Sequence, residues 1–263
     1  MRLAGRTVLL TGATGGLGGA IARELGARGA RLVLTGRRAD ALGALAEELG
    51  ARSVLCDHAD AAAVDALADE AGSVDVLVAN AALPASGPLD SFSVEQLDRA
   101  LTVNLRAPIV LARRFAPAMA ARGEGHLLFV SSLSGKVAAP GTPVYAATKF
   151  GLRGFALALR EDLRAARVGV SVVSPGFVRD AGMYADAGVR LPPWVGTVTP
   201  ARVAQATADA IERNRAEVVV APLSLRLGAA AAGIAPEAAA TVQRRLGGHR
   251  IARSFARGQQ SKR

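Results

Sequence analysis

The 263-residue chain is 51% hydrophobic and 21% charged, enough apolar surface for one large α/β core and too little charge for a disordered protein. A single cysteine, Cys56, excludes an internal disulfide framework and a cysteine metal cluster; no apolar run reaches a membrane span of roughly 20 residues or resembles a signal peptide, so a cytoplasmic protein is expected. Of the net charge of +10, most sits in residues 222–263, where eight basic residues face Glu237 alone, so basicity marks a tail and gives no reason to expect nucleic-acid binding by the body.

Arg6 to Thr11 reads as a buried strand centred on Val8, Leu9 and Leu10. It runs into Gly12-Ala13-Thr14-Gly15-Gly16-Leu17-Gly18-Gly19, after which Ile21 and Leu25 continue at helical spacing. Strand, glycine-rich turn and helix together make an anion site, because glycines let the backbone approach a pyrophosphate and the helix start presents free N–H groups. Leu32 to Thr35 is the second strand and completes a βαβ unit. An NAD site places an acid at the end of this strand, whereas Gly36-Arg37-Arg38 stands here; two arginines suit a 2′-phosphate, which favours NADP with NAD as the alternative.

A helix follows over Ala39 to Leu49, then a strand from Ser53 to Cys56 closed by Asp57 and His58 at the edge where an adenine would lie. The helix Ala61 to Ala71 turns Val64, Leu67, Ala68 and Ala71 inward. Val74 to Ala79 is the next strand, and Asn80 follows at its C-terminal end, where open parallel sheets bind ligands. Ser93 opens a helix that contains Asn104, a poor interior helix residue whose amide can also stabilise a local kink. Leu127 to Ser131 is a strand ended by Ser132.

After a loop rich in glycine and proline, Thr142 is placed as the N-cap and Pro143 as the first residue of a helix with Leu152, Phe155, Leu159 and Leu163 on one stripe. Tyr145 and Lys149 lie four apart on one face of that helix. An ammonium beside a phenol lowers its pKa, so this is a workable proton-transfer pair, although a helix that merely carries both residues would look the same. Val168 to Val173 and Glu217 to Ala221 are the last two strands, separated by a helix from Pro200 to Arg215. The alternation predicts an α/β fold, a Rossmann-like doubly wound parallel sheet of seven strands with helices on both faces in a single domain.

These residues together resemble the short-chain dehydrogenase/reductase family, in its branch of about 250 residues. Thr11, Gly12, Gly16 and Gly18 match its glycine-rich motif; Asn80 matches a degenerate Asn-Asn-Ala-Gly; Asn104, Ser132, Tyr145 and Lys149 match its helix asparagine, serine and Tyr-x-x-x-Lys; Pro175-Gly176 matches its Pro-Gly after the sixth strand. The resemblance runs from about Leu3 to Ala221. It departs at Ala79 and Ala82, which replace Asn and Gly, and at Asp180, where the family often has a cofactor-touching threonine.

The resemblance implies hydride transfer between a nicotinamide and a carbonyl or carbinol carbon. Ser132 would hold the substrate oxygen, Tyr145 would exchange its proton, Lys149 would lower the tyrosine pKa and bind the nicotinamide ribose, and Asn104 would hold a water that links Lys149 to solvent. Cofactor contacts are expected from Gly12, Thr14, Gly16, Leu17, Gly18, Arg37, Arg38, Asp57, His58, Asn80, Tyr145, Lys149, Pro175 and Gly176, with no metal. Two other readings share the fold: a dinucleotide-binding sensor without catalysis, and an epimerase-like enzyme, whose glycine spacing Gly12, Gly15 and Gly18 also satisfies.

The expected division is a catalytic domain over 1–221, with a substrate lid near 182–199, and a basic extension over 222–263. Met183, Tyr184, Val189, Leu191 and Trp194 can line an apolar pocket for a small carbonyl or alcohol substrate. In the extension, Ala238 to Phe255 can be helical with Val242, Leu246, Ile251 and Phe255 among arginines, interrupted by Gly247-Gly248. That segment can lie on an anionic membrane, pack against a partner subunit or remain solvated. A homo-oligomer is expected.

Overall fold

In the computed structural model, residues 1–189, 191–192, 195–245 and 247–259 are described. Trp194, Leu246, Lys262 and Arg263 lie outside the described residues, as does the side chain of Ile251. Seven strands form one parallel sheet: β1 (Thr7–Thr11), β2 (Arg31–Gly36), β3 (Arg52–Leu55), β4 (Val76–Ala79), β5 (Gly125–Val130), β6 (Val168–Pro175) and β7 (Glu217–Val220), in the spatial order β3-β2-β1-β4-β5-β6-β7. The order reverses between β1 and β4, which pair through Val8–Val76, Leu9–Leu77 and Leu10–Val78. A crevice opens at such a reversal, outside the carboxyl ends of the strands.

The strands are near-continuous apolar runs because both faces are covered. Alternate residues feed two cores. Val8, Leu10, Leu34, Val76, Val78 and Leu128 meet α1 (Gly16–Ala27), α2 (Ala39–Leu49) and α8 (Pro200–Glu212) through Ile21, Leu25, Leu42, Val203 and Ile211. Leu9, Val33, Leu77, Leu127, Phe129 and Val172 meet α3 (Ala61–Ala71), α5 (Ala107–Arg122) and α6 (Pro143–Asp162) through Leu67, Leu111, Phe115, Met119 and Leu152. Phe155 of the predicted α6 stripe packs edge-on to Phe129 with ring centres 5.6 Å apart.

The helix opened by Ser93 is α4 (Val94–Leu101), started by a capping box in which Ser93 Oγ accepts from Gln96 N and Gln96 Oε1 accepts from Ser93 N. It continues through a π-helical turn, Thr102–Arg106, into α5. A short helix α7 (Met183–Asp186) follows β6.

The C-terminal extension differs most from expectation. An unexpected helix, α9 (Leu223–Ile234), follows β7, and the interrupted helix expected after it is present as α10 (Pro236–Arg245) and α11 (Gly248–Gln259). The alanine run from Ala229 to Ala232 has high helix propensity, and Pro222 and Pro236 stand where a missing N–H costs nothing, before the first turns of α9 and at the first position of α10. The described part of the extension is folded against the body: Phe255 and Gln259 reach the segment that precedes and includes α7. Among the described residues no helix is long and apolar enough to cross a membrane.

Candidate active site

A cavity of about 1380 Å³ lies at the carboxyl ends of β1 to β6. Its wall gathers Gly12, Thr14, Gly16, Leu17, Gly18, Arg37, Arg38, Asp57, His58, Asn80, Ser132, Tyr145, Lys149, Pro175 and Gly176. Asn104 alone of the sequence-predicted site residues is not in that wall.

The glycine-rich turn is shaped by close approach. Gly12 has φ +67, and a Cβ there would lie 2.8 Å from Ala81 Cα; a Cβ on Gly18 would collide with the carbonyl oxygen of Gly12. The turn therefore presses flat on the end of β4 and presents the first N–H groups of α1 to the cavity. Asn80 fixes this contact. Its Nδ2 donates to the carbonyls of Thr11 at 3.0 Å and Gly12 at 3.2 Å, and its N–H and that of Ala81 both donate to Thr11 Oγ1.

At the end of β2, Arg37 and Arg38 are exposed, and Arg38 donates to the Thr14 carbonyl. Asp57 lies between two guanidiniums, 3.9 Å from Arg37 and 3.7 Å from Arg99. His58 is buried; Nε2 has no partner among the described residues, and burial pushes its pKa down to about 4, so the ring is neutral. Its Nδ1 lies 4.0 Å from Cys56 Sγ. That thiol is buried, and burial first, then Asp57 and Asp60, pushes it up to about 11. The flat glycine cradle, the helix start, the exposed guanidiniums and the unpartnered His58 nitrogen fit the pyrophosphate, 2′-phosphate and adenine of NADP.

Ser132 caps a 3-10 turn, Leu133–Gly135, and its Oγ accepts from Ser134 N at 3.1 Å. Tyr145 lies in the first turn of α6. Thr142 does stand at the N-cap, but its hydroxyl donates to the Ala139 carbonyl at 2.8 Å instead of accepting from the helix. Lys149 is buried, and its Nζ donates to the Val130 carbonyl at 3.0 Å.

The expected lowering of the Tyr145 pKa by Lys149 is corrected by this geometry. The ammonium lies 5.7 Å from the centre of the tyrosine ring and is turned to the end of β5. Burial pushes Tyr145 up to about 12, with a hydrogen bond to Ser132 pulling the other way. Burial also pushes Lys149 down to about 8. The phenol is thus a proton donor at neutral pH, and the lysine is within reach of titration.

Asn104 needs a second correction. It sits in the π-helical turn, 1% exposed and outside the cavity wall, and its amide is engaged elsewhere: Oδ1 accepts from Leu83 N at 2.6 Å and Nδ2 donates to Leu83 O at 2.9 Å. Burial and these two bonds turn the side chain to Leu83 and away from the cavity that holds Lys149. It pins the turn to the strand-end loop that carries Leu83, the alternative its sequence position left open.

Of the expected lid residues, Met183 and Tyr184 line the cavity, Val189 and Leu191 do not, and Trp194 lies outside the described residues. Asp180 is exposed with φ +69, pairs with Arg179 at 3.4 Å and stays out of the cavity wall. The roof comes instead from the extension. Phe255 stacks on Phe177 with centres 5.8 Å apart and packs on Tyr184 at the same distance, while Gln259 Nε2 donates to the Met183 carbonyl at 3.4 Å. Ala229, Ala239, Val242 and Ala252 add apolar wall.

Sequence reasoning missed Arg99 and the roof. Arg99 carries no local signal, being one of many arginines on an amphipathic helix. The roof had one: Phe255 recurring with Ile251 in a basic segment marks a buried face, without saying what it buries against.

The family model described as short chain dehydrogenase matches residues 6–189. A curated relative, ketoacyl reductase HetN of Nostoc sp., is 33% identical over 227 residues, 83% of this chain and 79% of the relative. A metagenomic short-chain oxidoreductase solved in complex with NADP is 34% identical with a TM-score of 0.70, covering 84% of this chain and 99% of that one. A short-chain dehydrogenase from Sphingobium yanoikuyae in complex with NADPH is 27% identical with a TM-score of 0.77, covering 88% and 96%.

Proposed function

The chain belongs to the short-chain dehydrogenase family and is an NAD(P)-dependent oxidoreductase; from that premise we propose that it uses NADPH to reduce a ketone carried by a bulky apolar, acyl-type substrate. Arg37 and Arg38 at the end of β2 support NADPH, as do the NADP and NADPH complexes of two similar structures. The substrate class rests on the cavity. Its volume of about 1380 Å³ exceeds the roughly 300–1,000 Å³ of ordinary ligand pockets and leaves room beside a dinucleotide. The wall away from the glycine turn is apolar, formed by Val137, Ala139, Leu225, Ala238, Val242 and Phe255. Within the small-molecule carbonyl substrates expected from sequence, the cavity supports a bulky one, and the ketoacyl reductase relative points the same way.

NADPH, when bound, supplies the hydride to the carbonyl carbon. Ser132 donates a hydrogen bond to the carbonyl oxygen and Tyr145 passes its phenolic proton to it, as general acid. Lys149 in its charged form holds the ribose hydroxyls. Asn104 is a positioning residue; a water that resupplies protons would rest on a backbone carbonyl freed in the π-helical turn, not on the amide. Gly12, Thr14, Gly16, Leu17 and Gly18 would hold the pyrophosphate, Asp57, His58 and Asn80 would hold the adenosine, and Pro175 and Gly176 would hold the nicotinamide. Residues 1–221 form the catalytic unit, with Met183 and Tyr184 of α7 and the described part of the extension as its two-part cover. The exposed Val94, Leu101 and Phe150 on α4 and α6 are the face for homo-oligomer formation, which light scattering on Phe150→Glu tests by loss of the oligomer.

The meeting of Ser132, Tyr145 and Lys149 in one cavity wall with the glycine turn carries this reading. The test is NADPH consumption with 3-oxoacyl thioesters of graded chain length. Long chains should be turned over best, and Tyr145→Phe should lower kcat about a thousandfold while NADPH binding persists. Substantial activity in that variant would sink the assignment.

A further inference from the structure

α9 is apolar on two opposite sides. Leu225, Gly228 and Ala229 line the cavity. On the other side Leu223, Leu227 and Ile234 form one stripe, spaced four and seven residues apart and 65%, 62% and 87% exposed. An exposed apolar stripe of this kind marks an interaction surface, and among the described residues nothing covers it. It extends about 16 Å along the helix.

At the start of the stripe lies a second cleft, of about 380 Å³, walled by Arg179, Arg202 and Arg226 together with Thr197, Thr199 and Leu223 itself. Arg179 pairs with Asp180 at 3.4 Å and donates to Thr197 Oγ1 at 3.4 Å; Arg202 and Arg226 are exposed and form no ion pair among the described residues. Leu223 belongs to both features, so a guanidinium cleft adjoins an apolar ridge. The same extension also exposes Arg244, Arg245, Arg253 and Arg257 against the single acid Glu237.

We propose that this face docks the protein on an anionic phospholipid surface, with phosphate headgroups in the Arg179–Arg202–Arg226 cleft and the Leu223–Leu227–Ile234 ridge at the acyl boundary. The pairing of positive charge with an uncovered apolar ridge is what distinguishes this occupant. A polyanion alone would make no use of the leucines, and a second copy of this chain would bring its own arginines against these. Interfacial helices bind by the same sum of apolar burial and attraction to anionic lipid. The inference is independent of the substrate: it concerns residues outside the cavity wall.

The experiment is sedimentation of the full chain with phosphatidylcholine vesicles, with and without phosphatidylglycerol, at low and high salt. Wild type should bind only the anionic vesicles and release them as salt rises. Arg202→Gln with Arg226→Gln should weaken partitioning about thirtyfold, as expected for two basic residues at such a surface. Leu223→Ser with Leu227→Ser should weaken it further in high salt than in low. Both variants should keep NADPH binding, which checks folding; if the leucine pair fails to fold, the arginine pair still decides. No binding of wild type to anionic vesicles overturns the proposal. So does unchanged binding by the arginine pair, or a leucine pair that only splits an oligomer by light scattering.

Discussion

Lys149 holds its ammonium over the Tyr145 ring, 5.7 Å from the ring centre, and donates to the Val130 carbonyl oxygen at 3.0 Å, so the lysine ties the tyrosine ring to the end of β5. With Tyr145 pushed up to about 12 and Lys149 down to about 8, only the lysine titrates in the working range. The charged lysine is the form that binds ribose on the proposed reading, so NADPH affinity should fall as pH rises through about 8. Binding measured by fluorescence from pH 7 to pH 10 checks this, and Lys149→Met should flatten the profile. The same shift has a stability sign. Between about 8 and the ordinary lysine value of 10.5 the unfolded chain binds more protons at this site than the folded one, so this group makes stability rise with pH across that window.

The cofactor preference should reside in the exposed pair at the end of β2. Arg37→Ser with Arg38→Ser removes charge-assisted hydrogen bonds to a 2′-phosphate, a loss of about 2 kcal/mol or some thirtyfold in NADPH affinity. NADH affinity should barely change. Equal losses for both nucleotides in a binding titration would show that the arginines do not read the phosphate.

Gly18 tests the cradle. An added methyl would collide with the Gly12 carbonyl oxygen, which is backbone and cannot swing aside. Gly18→Ala should destabilise the fold by about 3 kcal/mol, the upper range for overpacking, and remove NADPH binding. Denaturant unfolding measures the first and titration the second; an unaltered melt would mean the turn is softer than it looks.

The aromatic group under the roof predicts a split in kinetics. Phe255→Ala loses its stack on Phe177 and its contact with Tyr184, about 2 kcal/mol in all. The substitution lies far from the proton donor in sequence and touches the apolar wall. KM for long-chain substrates should rise about thirtyfold, with kcat for a small ketone unchanged. If small and large substrates suffered alike, the roof would be a stabilising element and not a recognition surface.

The parts of the fold that were legible in sequence are those set by local physics. β1 and β4 are apolar runs because parallel strands are buried on both faces. Gly12 and Gly18 stand out because no residue with a side chain fits their contacts, and Tyr145 and Lys149 because a helix places four-apart residues on one face. What escaped depends on distant partners. Asn104 gives no hint that its amide is spent on Leu83, 21 residues away, and nothing near Lys149 says that it points to Val130. Arg99 meets Asp57 only once α4 has crossed the sheet edge. α9 is an alanine-rich stretch with apolar residues on two sides and only Ser224 and Arg226 polar, so only the packed structure shows which apolar side walls the cavity.

Cys56 has a practical consequence. A thiol sealed in the interior and pushed up to about 11 is overwhelmingly protonated at neutral pH, and maleimides react with the accessible thiolate. The natural sequence is therefore already a silent background for site-directed labelling. One cysteine introduced on the outer side of α9, at Ala230, would be the sole reactive thiol, and a spin label or fluorophore there would report on the roof without any prior removal of a native residue.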